Sequence, residues 1–199
     1  MRINVSATLA MLLIIAAVSV VPASAQTQSA SSTQPGAELA LTYNYLHTNA
    51  PPSGCGCFSM NGGAAAFAYP LKPSLSVVAE AGAVTASNVN SSGLDLMLTN
   101  FLLGGRYSLR HFSRFTPYGQ LLVGASHASG SLAPGQLAPG SSTAFAMAAG
   151  GGLDLTLTRH LAIRLVQTDY LLTLLPNQSN DHQNNFRISM GVVYHWNRK

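Results

Sequence analysis

Along most of the chain, apolar side chains alternate with small or polar ones at every second residue, in segments of about ten residues separated by Gly, Pro, Asn and Ser. A period of two is that of a strand with two unlike faces. The pattern is clearest over 186–196. Phe186, Ile188, Met190, Val192, Tyr194 and Trp196 share one face, and Arg187, Ser189, Gly191, Val193 and His195 share the other. Seven further segments follow the same rule or are compatible with it, and this excludes a helical fold for the body of the chain.

The segments are Glu38–His47, Ser59–Tyr69, Ser74–Ala86, Leu96–Leu109, Phe115–His127, Ala144–Leu157 and Leu161–Leu172. Ser59–Tyr69 is rich in Gly and Ala, and its faces are ambiguous. The faces of Leu161–Leu172 are ambiguous too; placing Gln167 and Asp169 inward puts Val166, Thr168 and Tyr170 outward, and with them Arg164, near the membrane edge where it could snorkel. The connections alternate in length. Pro70–Pro73, Arg110–Arg114 and Thr158–His160 are short, whereas Thr48–Phe58, Ser87–Asp95, Ser129–Thr143 and Thr173–Asn184 are long.

Charge decides which face looks outward. Charged residues make up only 8% of the 199-residue chain and hydrophobic residues 47%, against ~25% charged in an average soluble domain. Glu80, Arg106, Asp154 and Arg187 fall on the polar face of their segments, and the opposite faces are almost free of ions. A soluble lipocalin-like barrel would turn its apolar faces inward and needs a charged exterior. The pattern instead predicts an all-β, eight-stranded antiparallel up-and-down transmembrane β-barrel, apolar outside and polar within. Strand length fits: an apolar band of ~25 Å crossed at ~40° takes about 10 residues at ~3.3 Å each.

The N-terminus reads as an address. Met1-Arg2, an apolar run over Leu9–Val21 and the Ala23-Ser24-Ala25 site predict a signal peptide over 1–25, cleaved after Ala25. The run falls short of the ~18–20 residues of a transmembrane helix. Residues 26–36 read as a flexible leader and 37–199 as the barrel domain. Lys+Arg 10 against Asp+Glu 6 gives a net charge of +4. The basic residues form no dense stripe, which argues against a nucleic-acid partner.

The signal peptide, the eight segments and the final strand Phe186–Trp196 together resemble the small OmpA-like and OmpX-like outer-membrane β-barrels. The resemblance covers essentially the whole mature chain. It implies an outer-membrane location, lipid and lipopolysaccharide as surroundings, and contact with the outer-membrane assembly machinery. A monomer is expected. Phe186, Tyr194 and Trp196 are then the girdle aromatics and part of the C-terminal assembly signal. Asn197-Arg198-Lys199 follow the terminal aromatic, a departure that places the end of the signal at Trp196.

Candidate chemistry is sparse. Glu80, Arg106, Gln120, Asp154, Gln167, Asp169 and Arg187 are predicted to form a polar network in the lumen. Counting from the strand ends places Asp169 opposite Arg187, toward the long-loop half. It puts Glu80, Arg106 and Asp154 toward the short-turn half, with Gln120 bridging the last two. Buried charges must pair, so this reading is structural. Cys55-Gly56-Cys57 is expected to form a strained loop disulfide. CxC alone lacks the further ligands of a zinc site, the six His are dispersed, and no metal or other cofactor is expected. His127-Ala128-Ser129 resembles the His-x-Ser of outer-membrane lipid A deacylases, but no Asp or Glu occurs between Gly130 and Leu153 to orient the base, so no catalytic residue is assigned. The leading expectation is a non-enzymatic barrel, structural or surface-binding through its loops. A narrow conduit for small or apolar solutes is the alternative, and a lipid A-modifying hydrolase the second.

Overall fold

The computed structural model describes residues 36–48, 57–87, 95–110, 114–130, 141–175 and 182–196. The predicted signal peptide and most of the predicted leader lie outside the described residues. Eight strands run in chain order: β1 (Glu38–Thr48), β2 (Phe58–Lys72), β3 (Leu75–Ala86), β4 (Leu96–Ser108), β5 (Phe115–Ser129), β6 (Ser141–Thr156), β7 (Leu161–Thr173) and β8 (Gln183–His195). Each pairs antiparallel with its neighbours, and β8 closes on β1 from Glu38↔His195 to Thr48↔Asn185. No edge is left to pair with another chain.

The register fixes the size of the barrel. Pairing passes from Glu38 to Ala68, Val78, Gly104, Leu122, Ala148, Leu171 and Asn185. It returns to β1 at Thr48, ten residues beyond Glu38. Eight strands with that stagger tilt at about 40° and give a backbone radius of about 8 Å. Such a bore is just wide enough for side chains to fill it.

Alternation sorts the residues as charge demands. Leu41, Phe101, Leu103, Leu121, Phe145, Met190 and Val192 are among the large apolar side chains left exposed. Among Asp, Glu, Lys and Arg within the strands, Lys72 at the end of β2 is the one that is exposed. Tyr69, Tyr107, Phe115, Tyr194 and Trp196 ring the short-turn end, and Tyr45, Tyr170 and Phe186 the long-loop end. Tyr194 and Trp196 meet edge to face at 5.0 Å, and Phe67 lies 6.2 Å from Trp196. The Trp196 N–H donates to the Ala37 carbonyl, which ties the end of β8 to the start of β1.

Two places depart from strict alternation. At the end of β2 the register shifts between Pro70 and Lys72, where proline removes a ladder donor. The strand nevertheless continues to Lys72, past the turn expected to begin at Pro70. In β7, Leu165 and Val166 both face outward, and the register shifts between Arg164 and Gln167. This bulge inserts one residue and inverts the facing below it. Arg164, expected outside, is inside the barrel at 1% exposure.

Candidate functional site: the filled lumen

A connected set of charges runs from the short-turn mouth of the lumen to just past its middle, where Arg187 stands level with Leu46. Arg187 on β8 stands opposite Asp169 on β7, and its Nε and Nη2 both donate to Asp169 Oδ2, at 3.0 and 2.7 Å. Both bonds fall on the same carboxylate oxygen. Asp169 Oδ1 accepts from Gln120 Nε2 at 3.2 Å. Arg187 Nη1 reaches across the lumen to Glu80 Oε1. Glu80 therefore belongs with Arg187, not with Arg106 and Asp154.

Gln120 lies beside Arg106 in the β4–β5 register and accepts from its Nε and Nη2 at 3.2 and 3.0 Å. It bridges Arg106 to Asp169, and the expected bridge to Asp154 is not made. Asp154 is taken by Arg164, whose Nε and Nη2 donate to Oδ1 and Oδ2 at 2.9 and 3.1 Å, a bidentate pair. Gln167 joins the two arms. It accepts from Arg164 Nη1 at 2.8 Å and from the Tyr118 hydroxyl at 2.7 Å, and donates to Asp169 Oδ2 at 2.7 Å. The guanidiniums of Arg106 and Arg164 lie 4.4 and 4.8 Å from the Tyr118 ring centroid, close enough for attraction to the π face.

Glu38 closes the short-turn mouth. It pairs with Arg110 at 2.8 Å and Arg106 at 3.7 Å, and His195 Nδ1 lies 3.6 Å away. Four carboxylates (Glu38, Glu80, Asp154, Asp169) thus face four guanidiniums (Arg106, Arg110, Arg164, Arg187). Each carboxylate is within ion-pair distance of at least one guanidinium. The wall of β6 makes room for them. A Cβ on Gly152 would lie 2.6 Å from the Tyr118 hydroxyl oxygen, and one on Gly150 2.5 Å from Asp169 Oδ1.

Toward the long loops beyond Arg187, the lumen has no ionised side chain among its buried residues. Leu46, Met60, Val84, Leu96, Leu98, Leu171 and Leu175 fill it, with Asn44, Asn100, Ser126, Thr173 and Asn185 between them. Ser126 Oγ donates to Asn100 Oδ1, and Asn185 Nδ2 to the Leu171 carbonyl.

The remaining sequence-predicted positions lie elsewhere. Phe186, Tyr194 and Trp196 are exposed on the outer face. His127 and Ser129 share the outer face of β5, and His127 Nδ1 is 2.7 Å from Thr143 Oγ1 on β6. Its ring is thus held across the strand pair instead of along β5 toward Ser129. Cys57 is an exposed free thiol; Cys55, and with it the expected ring, lies outside the described residues.

The family profile described as "Outer membrane protein beta-barrel domain" matches residues 13–195. The chain belongs to this family. It is therefore a protein of the bacterial outer membrane. Solved barrels share the fold at low identity. Neisserial surface protein A is 13% identical with a TM-score of 0.61, the alignment covering 81% of this chain and 97% of that one. Ail, the attachment invasion locus protein of Yersinia pestis, is 17% identical with a TM-score of 0.53, covering 82% and 100%. The N-terminal β-barrel domain of OprF from Pseudomonas aeruginosa is 15% identical with a TM-score of 0.50, again covering 82% and 100%. No curated protein matches the sequence.

Four members of this outer-membrane barrel's polar network lie outside the set read from the sequence. Glu38 opens its strand, Arg110 lies in a short connection, and Tyr118 carries no charge that would mark it. Arg164 was assigned to lipid. One signal could have found Arg164. An arginine would otherwise be the one strand guanidinium on an outer face without ions, while Asp154 lacked a partner of its own.

Proposed function

We propose that this outer-membrane barrel is neither an enzyme nor a channel. It acts as a structural and surface-binding element, with the four long connections as its working surface and lipopolysaccharide, lipid and the assembly machinery as its surroundings. One observation carries this reading. Buried side chains occupy the lumen at every level, ionic in one half and apolar in the other, and the cross-strand contacts of the ionic half span it from wall to wall. An eight-stranded bore has no width left for a solute once its interior is filled.

Planar-bilayer recording of the refolded mature protein tests the reading. No discrete conductance steps are expected. Regular steps would replace it with the conduit reading. For the hydrolase reading, Ser129→Ala is expected to leave the lipid A profile of producing cells unchanged, because His127 is engaged with Thr143.

A further inference from the structure

Among the described residues, the basic ones are divided between the lumen and one end of the barrel. Arg106, Arg164 and Arg187 lie inside. Lys72, Arg110, Arg114 and Arg159 all lie at or in the three short turns. The long connections over 49–57, 87–95, 130–140 and 174–182 contain no Lys or Arg at all, but do contain Asp95 and Asp181.

Each of the four cations sits next to a large exposed apolar residue. Leu71 precedes Lys72, Leu109 precedes Arg110, Phe115 follows Arg114, and Leu157 and Leu161 flank Arg159. Trp196, Tyr194, Tyr107 and Tyr69 ring the same level. An aliphatic or aromatic group in hydrocarbon beside a cation that can rise to the boundary is the arrangement of a membrane interface. The acids at this end are withdrawn. Glu38 and Asp154 are buried and paired, and no exposed Asp or Glu lies there among the described residues. Arg110 is partly neutralised by Glu38. Lys72, Arg114 and Arg159 are exposed and make no ion pair among the described residues.

We propose that the short-turn end is a docking surface for acidic phospholipid headgroups of the adjoining leaflet, with Lys72, Arg114 and Arg159 as the phosphate-binding cations. The occupant is a lipid and not a soluble anion, because every cation is joined to a side chain that belongs in the acyl region. Each basic residue near an anionic leaflet contributes about a fivefold factor in association.

The test uses the full mature protein reconstituted in phosphatidylcholine vesicles doped with spin-labelled phosphatidylglycerol or spin-labelled phosphatidylcholine. Wild type is expected to hold the acidic probe several-fold more tightly. The triple variant Lys72→Gln/Arg114→Gln/Arg159→Gln is expected to bring the ratio close to one while keeping its heat-modifiable gel mobility. Asp95→Asn, at the opposite end, should leave the ratio unchanged. A wild-type ratio near one, or a triple variant that keeps the preference, overturns the proposal. So does displacement of the acidic probe by millimolar inorganic phosphate, which would mean a soluble-anion site. Pull-down of the wild type by purified peptidoglycan with the same three-residue dependence would mean a polymer site.

Discussion

The two halves of the lumen are filled by opposite means. Toward the short turns, carboxylates and guanidiniums are joined through Gln120, Gln167 and Tyr118. Toward the long loops, leucines, a methionine and a valine are packed with neutral amides and hydroxyls. The ionic half depends on geometry: each group is worth little alone and costs much when its partner is removed. The apolar half depends on volume, and its groups act nearly independently. The same wall and the same strands thus carry one region where effects couple and one where they should add.

The largest effect is expected at Arg187, the residue that two carboxylates share. Arg187→Ala strands both Glu80 and Asp169 in the lumen. Loss of a buried partner costs about 3–5 kcal/mol, and this variant should reach the upper part of that range in urea unfolding from lipid vesicles. Adding Asp169→Asn and Glu80→Gln should recover most of the loss. If the three changes simply add, the two halves do not differ as described.

Arg164 ranks next. Arg164→Leu should destabilise the barrel because Asp154 loses both of its hydrogen bonds. The loss should be smaller than at Arg187, since one carboxylate and not two is stranded, and that carboxylate lies nearer the mouth. Asp154→Asn should relieve it. This pair also measures what could be read from the sequence. Strand number, pairing order and the inward facing of Glu80, Arg106, Gln120, Asp154, Gln167, Asp169 and Arg187 follow from period-2 alternation and charge alone. The Asp169–Arg187 pair follows from counting down adjacent strands. Alternation cannot register the extra residue at Leu165–Val166, because both are apolar and either could face lipid. That one insertion put Arg164 on the wrong side and left Asp154 to be matched with Gln120. Glu80 was misassigned for another reason. Its partner lies across the lumen, and height along neighbouring strands says nothing about contacts that span the bore. An unchanged Arg164→Leu variant would restore the sequence-based facing.

In the apolar half, Leu171→Ala should cost about 2–3 kcal/mol, within the range for a buried leucine, because its side chain is fully buried. Combined with Leu46→Ala the losses should add. Conductance separates the halves further. Arg187→Ala alone, or Leu46→Ala with Leu171→Ala, should stay silent in planar bilayers, since the intact half still blocks the bore. Only the combination of all three should give current. Conduction from either set alone would assign the whole barrier to one half.

The smallest effect is expected at Thr173, and its sign discriminates best. Its side chain is fully buried, and its Oγ1 has no hydrogen-bond partner among the described residues. A buried hydroxyl left unpaired carries a desolvation cost of about 1–3 kcal/mol. Valine keeps the branched shape and removes that oxygen, so Thr173→Val should be neutral or stabilise the barrel by up to about 1 kcal/mol. Ser126→Ala is the counterpart at a similar level of the lumen. That hydroxyl donates to Asn100, and its loss should cost about 1 kcal/mol. Opposite signs at these two sites would show that hydroxyls in the apolar half matter only when bonded, and that volume otherwise governs the region. A clear loss of stability in Thr173→Val would instead mean that this half, too, depends on a specific polar contact.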